Sequence, residues 1–268
     1  EYFRAKDELV DVTRNAENSR PGYGVFSGLI TRRPAELARD ALLNRMREWD
    51  RRSAERVTHF VAISQTVAAR IRECYGRESQ VIYPPVDTDF YTPAGVPRDD
   101  SYLVVSALVP YKRVDLAIAA CNRLGRRLKV VGRGPEMEKL RKLAGPTIEL
   151  LGWQTDEEIR DHLRRCRALL FPGHEDFGIV PLEASACGTP VIALARGGAT
   201  ETILPADATS AGTGYFFDEP TIDSLAAAIE ACETSPQRFC ARRAREQAER
   251  FSAPRFEREL IAYLHAVA

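Results

Sequence analysis

A strand, a loop and the start of a helix follow one another in residues 168–188, which read ALLFPGHEDFGIVPLEASACG. The apolar run at 168–171 is typical of a short buried strand. Pro181 suits the first turn of a helix, which we expect to continue to Gly188. The segment therefore predicts one β-loop-α unit, the element from which parallel α/β sheets are built.

Two carboxylates flank the predicted helix start, Glu175 in the loop and Glu183 in the first turn. The first turn of a helix has unpaired N–H groups and carries the positive end of the helix dipole, so it attracts anions. A phosphate fits such a site, with Glu183 able to reach ribose hydroxyls on one side and Glu175 a sugar on the other. The geometry suits a nucleotide sugar. The main chain predicted to hold the phosphate belongs to Phe177, Gly178, Ile179 and Val180.

Strands and helices alternate along most of the chain. The predicted strands are 59–63, 80–83, 102–106, 127–131, 147–151, 168–171, 190–193 and 213–217. The predicted helices between them lie near 65–75, 112–123, 135–144, 155–165, 179–187, 199–204 and 221–232. This alternation predicts an α/β fold with a Rossmann-like, doubly wound parallel sheet and a ligand at the carboxyl ends of the strands. Helices at 236–250 and 254–267 follow with no strand between them.

The N-terminal part differs from this pattern. Residues 1–33 have a loop-like composition, and residues 34–56 predict an amphipathic helix. Its arginine-rich remainder permits two interpretations, an ordinary packing helix or a surface that faces anionic lipid headgroups. The residues predicted to share one stripe of this helix are Leu37, Ala41, Leu42, Arg45, Met46 and Trp49.

Composition excludes several classes of protein. The chain of 268 residues carries 38 basic and 38 acidic side chains, so no net field recruits nucleic acid. The six cysteines form no C-x-x-C pair, which argues against zinc and disulfide frameworks and indicates a reducing cytoplasm. Its apolar runs are shorter than the roughly 20 residues that a membrane-spanning helix needs, and no signal peptide opens the sequence.

Seven segments, in order, resemble those of retaining glycosyltransferases of the GT-B fold, family 4. The wording LVPYKRVDLAI at 108–118 and DFGIVP at 176–181 is similar to a mannosyltransferase-like branch that builds bacterial surface polysaccharide. The resemblance implies that this chain is the C-terminal, donor-binding half of a GT-B enzyme. It also implies transfer of a hexose, such as mannose from GDP-mannose, to a lipid-linked or glycan acceptor. The segments are FVAIS (60–64), VIYPPVD (81–87), VPYKR (109–113), GRGPE (132–136), LGW (151–153), the 175–183 stretch and GGATE (197–201).

The resemblance also implies roles for individual residues. Lys112 matches the family lysine that stabilises the departing diphosphate, and Glu175 is the other candidate catalytic residue. The family usually has an arginine shortly before this lysine, but Ser106 and Ala107 stand there, so Arg113 becomes a candidate for that contact. Further candidate donor contacts are Gly134 beside the nucleotide, Trp153 and Gln154 at the base, Glu183 at the ribose and Gly198 at the sugar. The glycines at 134 and 198 equally suit purely structural turns.

No metal or separate cofactor is expected. Asp87-Thr88-Asp89 resembles a manganese-binding motif of another glycosyltransferase fold, but it lies in a proline-rich linker far from the phosphate loops. The expected donor is GDP- or UDP-linked. A dehydrogenase is disfavoured because Met137 occupies the place of the third glycine after Gly132 and Gly134. An isolated nucleotide-sugar-binding module without transfer activity stays an alternative.

We expect three regions along the chain. Residues 1–57 would be a remnant of the acceptor side, 58–250 the donor-binding domain, and 251–268 a helix that crosses back to the first domain. An acceptor-binding domain is expected to precede them and to be missing here. The expected location is the cytoplasm, and a position at the inner face of the cell membrane stays an alternative.

Overall fold

The computed structural model describes residues 34–206 and 211–268, so the loop predicted for residues 1–33 lies outside the described residues. The chain forms two structural units, residues 1–60 and 61–268. In the first unit, helix α1 (Pro34–Ala54) confirms the predicted N-terminal helix. Leu42, Met46 and Trp49 of its predicted stripe are exposed.

The second unit contains a sheet of six parallel strands, which confirms the predicted fold class. Its order is β5-β4-β3-β6-β7-β8. The chain starts in the middle of the sheet, builds outward to one edge and returns to build the other half, which is the order of a doubly wound α/β sheet. The strands are β3 (Ser101–Val105), β4 (Arg127–Val131), β5 (Ile148–Gly152), β6 (Leu169–Phe171), β7 (Val191–Leu194) and β8 (Gly214–Phe217).

The two earliest predicted strands do not belong to this sheet. They are only two residues long each, β1 (Val61–Ala62) and β2 (Gln80–Val81), and pair with each other in parallel. Short apolar runs predict that a strand exists, but its partner is chosen by residues distant in sequence. The prediction that 59–63 and 80–83 extend the main sheet is therefore wrong.

Nine helices follow α1 in the described residues, and most confirm the predicted positions. The segment predicted as one helix over 236–250 is instead a 3-10 turn (Pro236–Arg238) followed by a separate helix, Ala241–Glu249. Phe239 interrupts it because it pairs with Gly212 as an isolated parallel bridge. The helices are α2 (Gln65–Tyr75), α3 (Val114–Leu124), α4 (Met137–Leu143), α5 (Asp156–Arg165), α6 (Ile179–Ala186), α7 (Ala199–Thr202), α8 (Ile222–Thr234), α9 (Ala241–Glu249) and α10 (Ala253–Val267).

Each face of the sheet carries its own apolar core. Successive side chains of a strand point to opposite faces, so Tyr102 and Val104 belong to one core and Leu103 to the other. The first core is covered by residues of α3, α4 and α8, and the second by residues of α5, α6 and α9. Covering both faces explains why the strands read as nearly continuous apolar runs.

A cluster of charged residues connects elements at the amino ends of the strands. The carboxylate of Glu233, near the end of α8, accepts hydrogen bonds from the Tyr102 hydroxyl at 2.9 Å and from Arg167 at 3.0 Å. Arg126 donates two further bonds to it, both 2.8 Å long. The hydrogen bonding from Arg126 contributes most to holding the pKa of Glu233 below its ordinary value. The candidate active site lies on the opposite side of the sheet, at the carboxyl ends of the strands.

Candidate active site

The site lies where the winding of the sheet changes direction. Strands β3 and β6 are neighbours in the sheet, and β3 continues toward β4 while β6 continues toward β7 on the other side. The loops that leave such neighbouring strands diverge and open a crevice at their carboxyl ends. The loop after β3 contains Lys112, and the loop after β6 contains Glu175.

Lys112 and Glu175 form an ion pair across this crevice. The Lys112 Nζ lies 2.5 Å from a carboxylate oxygen of Glu175, and their side chains are only 17% and 16% exposed. Gly173 permits this approach, because a Cβ there would stand 3.0 Å from the Cα of Lys112. The structure thus joins the two residues that the sequence singled out as candidate catalytic groups.

The sequence predicted that Lys112 lies at the start of an α-helix, and this prediction is wrong. It ends the 3-10 turn Pro110–Lys112, and α3 begins only at Val114. Arg113 separates the two with a φ of 51°, and it is the one non-glycine residue with positive φ in residues 34–206 and 211–268. Its guanidinium contacts Asp115 at 3.2 Å. Its predicted contact with a diphosphate stays a prediction.

The start of α6 presents main-chain donors to the crevice. Gly178 precedes the helix with a φ of 87°, which favours glycine. In the described part of the chain, the N–H groups of Gly178, Ile179 and Val180 donate no hydrogen bond. The side chain of Phe177 is buried beside Tyr83, with ring centroids 5.8 Å apart, so only its main chain is available to a ligand.

The loop after β7 supports the loop that carries Glu175. The Gly198 N–H donates a 2.8 Å hydrogen bond to the main-chain carbonyl of Glu175. A Cβ on Gly198 would stand 2.3 Å from the Cα of Phe177, and one on Gly197 would stand 2.5 Å from the His174 ring. Both glycines are therefore required for the close approach of the two loops. The predicted contact of Gly198 with a donor sugar stays a prediction.

Glu183 lies in α6 and is half-buried. Burial, together with the nearby Asp156 carboxylate, raises the pKa of its carboxyl to about 7. The nearby Tyr91 hydroxyl lowers this pKa and so acts in the opposite direction. The sequence prediction contained Glu183 but not Tyr91, because no spacing or periodicity in the linker 84–93 links Tyr91 to α6.

Three other predicted contacts lie in the loops after β4 and β5. Trp153 is 60% exposed, and the Arg133 guanidinium lies 5.9 Å from its ring centroid. The amide of Gln154 donates to the Leu151 carbonyl at 3.4 Å. Gly134 has a structural role, because a Cβ there would stand 2.3 Å from the Leu108 carbonyl oxygen. Their predicted contacts with a nucleotide stay predictions.

Glu201 is a structural residue that sequence reasoning did not identify. Its carboxylate accepts hydrogen bonds from the N–H groups of Gln65 at 2.8 Å and Thr66 at 3.0 Å, at the start of α2. It also accepts a 3.0 Å bond from the Tyr83 hydroxyl. The helix α7, which follows Gly198, is thereby fixed to α2.

The acidic pair Asp87 and Asp89 forms a turn. The N–H groups of Asp89 and Phe90 donate to a carboxylate oxygen of Asp87 at 3.1 and 2.9 Å. Within the described ranges, no three His, Cys, Asp or Glu side chains converge as a metal site would require. All six cysteines are free thiols. None of the helices in these ranges combines the length and apolar character needed to cross a bilayer.

Residues 94–251, more than half of the chain, match the family model described as glycosyl transferases group 1. The chain belongs to this family. It is 30% identical over 210 residues to a GDP-mannose-dependent alpha-(1-6)-phosphatidylinositol monomannoside mannosyltransferase of Mycolicibacterium smegmatis, covering 67% of this chain and 54% of that protein. It is 31% identical over 235 residues to a D-inositol 3-phosphate glycosyltransferase of Kineococcus radiotolerans, covering 71% of this chain and 52% of that protein.

Solved structures share the fold of this glycosyltransferase domain. Anabaena Alr3699/HepE in complex with UDP superimposes with a TM-score of 0.70 at 22% identity, covering 78% of this chain and 64% of that chain. Sucrose-phosphate synthase of Thermosynechococcus elongatus gives a TM-score of 0.71 at 21% identity, with coverages of 83% and 62%. The chain spans about half the length of the two curated relatives above.

Proposed function

We propose that this chain is the donor-binding part of a retaining glycosyltransferase that moves a hexose from a nucleoside-diphosphate sugar. One observation carries the proposal. The Lys112–Glu175 ion pair lies at the change of winding of the sheet, and the loop of Glu175 leads directly into the N–H groups that start α6. A cation, a carboxylate and a helix start together match a ligand that combines a diphosphate with a sugar.

The proposed division of labour follows the chemistry of each group. The N–H groups of Gly178, Ile179 and Val180 hold a phosphate. The ammonium of Lys112 contacts the diphosphate and gains strength as negative charge develops on this leaving group. Glu175 accepts hydrogen bonds from the sugar, and Glu183 accepts them from the ribose. The contact with Glu175 leaves N–H donors of the Lys112 ammonium for the diphosphate, since an ammonium has three.

Metal-free catalysis is part of the proposal, with Lys112 and the α6 dipole supplying the positive charge. Retention of anomeric configuration follows from the family resemblance. The similarity to the GDP-mannose-dependent mannosyltransferase of Mycolicibacterium smegmatis supports mannose from GDP-mannose as the donor. We propose a lipid-linked or glycan acceptor, a role in surface polysaccharide synthesis, and a cytoplasmic location at the inner face of the membrane. Family membership does not favour a binding module without transfer activity.

The two carboxylates provide the experiment. Isothermal titration calorimetry would measure affinities for GDP, GDP-mannose, UDP and UDP-glucose in wild type, Glu175→Gln and Glu183→Gln. We expect Glu183→Gln to weaken the free nucleotide and its sugar conjugate alike. Glu175→Gln should weaken only the conjugate, and the loss of its charge beside Lys112 should leave the free diphosphate bound as tightly or more tightly. Equal losses for both ligands in both variants would contradict the assignment.

Transfer itself needs a second measurement. With a polypeptide that includes an acceptor-binding domain, NMR of the product should show the anomeric configuration of the donor, and a chelator should leave the rate unchanged. Inversion at the anomeric carbon would refute retention. A rate abolished by the chelator and restored by manganese would refute metal-free catalysis.

A further inference from the structure

Asp176, the residue after Glu175, forms an ion pair with Arg70 of α2. The Arg70 Nη2 lies 2.7 Å from a carboxylate oxygen of Asp176, and the two side chains are 20% and 22% exposed. Two neighbouring carboxylates therefore pair with cations from different parts of the chain, Glu175 with Lys112 and Asp176 with Arg70. The proposed function assigns a task to the first pair and none to the second.

Arg70 belongs to a helix that is itself fixed to the loops of the site. The carboxylate of Glu201, on α7, accepts hydrogen bonds from the first turn of α2 at 2.8 and 3.0 Å. The residue that precedes α7 is Gly198, whose N–H donates to the Glu175 carbonyl at 2.8 Å. These contacts run from α2 through α7 to the loop of Glu175, and the Arg70–Asp176 ion pair leads from that loop back to α2. A cation held on such a fixed element keeps its carboxylate partner in one place.

The direction of the Glu175 side chain depends on how its loop is held. Residues 172–178 connect β6 to α6 without helix or strand, so tertiary contacts direct their side chains. Three contacts hold the loop around Glu175. Its own carbonyl bonds to Gly198, the side chain of Phe177 is buried, and Asp176 pairs with Arg70. Of these, the ion pair acts on the side chain that shares a peptide bond with Glu175.

We propose that Arg70 is a positioning residue, which holds Asp176 toward α2 and thereby directs Glu175 at Lys112 and the sugar of the donor. The inference rests on the proposed function, since that function gives Glu175 the sugar as its ligand. Because Arg70 acts through the loop of Glu175, its loss should affect a nucleotide sugar more than the free nucleotide. Arg70 also lies upstream of residues 94–251, which match the family model, so this contribution comes from outside the matched region.

The test compares Arg70→Gln with wild type on matched ligands. Calorimetry would measure affinities for GDP, GDP-mannose, UDP and UDP-glucose, and the readout is the ratio of sugar-conjugate affinity to free-nucleotide affinity. Loss of the ion pair should lower this ratio about 3- to 10-fold. Arg70→Lys keeps a cation on α2 and should restore most of the ratio. The control is Arg126→Gln, which breaks another partly buried arginine–carboxylate pair, with Glu233 at the amino ends of the strands, and should leave the ratio unchanged.

Further variants separate positioning from a change of charge near the phosphate site. Arg70→Gln removes the cation that pairs with Asp176, whereas Asp176→Ala breaks the same ion pair by removing the carboxylate. Asp176→Ala should therefore lower the ratio as much as Arg70→Gln, and the double variant should lower it no further. In a Glu175→Gln background, Arg70→Gln should not change the ratio, because the charged group that it positions is gone.

The outcomes distinguish the inference from the function on which it rests. If wild type binds none of these ligands, or if Glu175→Gln leaves the ratio unchanged, the proposed function fails and the inference fails with it. If Glu175→Gln lowers the ratio but Arg70→Gln weakens nucleotide and conjugate equally, Arg70 only supports the fold and the inference alone is overturned. A ratio that falls in Arg70→Gln but not in Asp176→Ala, or that falls equally in Arg126→Gln, would overturn it as well.

Discussion

At the scale of single residues, the Glu183 carboxyl makes the stability of the fold depend on pH. Its pKa is raised from 4.5 to about 7, mainly by burial. The folded state therefore binds this proton more tightly than the unfolded chain. The stabilisation is complete below about pH 4.5 and is lost as pH rises through about 7, when the buried carboxyl must ionise. At neutral and basic pH the ionised group costs folding free energy.

The variant Glu183→Gln should remove this pH dependence. We expect its free energy of unfolding, relative to wild type, to increase by about 1–3 kcal/mol between pH 5 and pH 8. Urea denaturation at both pH values would measure it. The control is Glu138→Gln, an exposed carboxylate on α4. The same change of stability with pH in wild type and Glu183→Gln would show that Glu183 ionises without cost.

The sequence identifies the candidate residues of the site better than it identifies their interactions. Lys112, Glu175 and Glu183 were each identified, but the ion pair of the first two was not, because they come from loops of different strands. The positive φ of Arg113 was also missed, since left-handed backbone is signalled in sequence mainly by glycine.

At the scale of elements, the site depends on three loops that pack closely at the ends of β3, β6 and β7. Glycines allow this packing, and Gly198 is the clearest case. Its own backbone is ordinary, with a φ of −62°, so alanine would be tolerated there by its dihedral angles. The obstacle is the neighbouring loop, because a Cβ would stand 2.3 Å from the Cα of Phe177.

Gly198→Ala should therefore displace the loop that carries Glu175 and weaken nucleotide-sugar binding. Overpacking of this kind typically costs about 1–3 kcal/mol of stability. Calorimetry with GDP-mannose and UDP-glucose, together with thermal denaturation, would measure both effects. The control is Gly125→Ala, where φ is 64° and no atom lies within 4 Å of the added Cβ. Stability lost in both variants, with donor affinity lost in neither, would contradict the role assigned to this packing.

The elements themselves were largely predictable, and the exceptions have physical causes. Alternating apolar strands and helices predicted the six main strands, because a sheet covered on both faces leaves long apolar runs. The helix predicted from residue 112 begins at Val114 because Arg113 leaves the helical region. The assignment of β1 and β2 to the main sheet failed because two-residue strands carry too little pattern to specify a partner.

At the scale of the whole molecule, the chain supplies one side of a proposed two-sided active site. The chain spans about half the length of its curated relatives. Orientation of an acceptor and exclusion of water both require groups on the other side of the cleft. We therefore expect the 268-residue chain to bind a donor but to transfer almost no sugar.

The comparison is between residues 1–268 and a longer polypeptide that adds an acceptor-binding domain. Transfer of radiolabelled sugar to a polyprenyl-diphosphate or glycan acceptor would be measured for both. The longer form should transfer and the shorter should not, with equal donor affinity in the two. Equal turnover by both would contradict this view.

The central claim is that a nucleoside diphosphate binds beside Lys112 at the carboxyl ends of β3 and β6. The most direct measurement is the calorimetric affinity of Lys112→Ala for GDP and UDP, with Lys142→Ala on α4 as an exposed control. Loss of a charge-assisted hydrogen bond should weaken binding by about 1.5–3 kcal/mol in Lys112→Ala. Lys142→Ala should match wild type. Affinity for both nucleotides that is unchanged in Lys112→Ala would contradict the account.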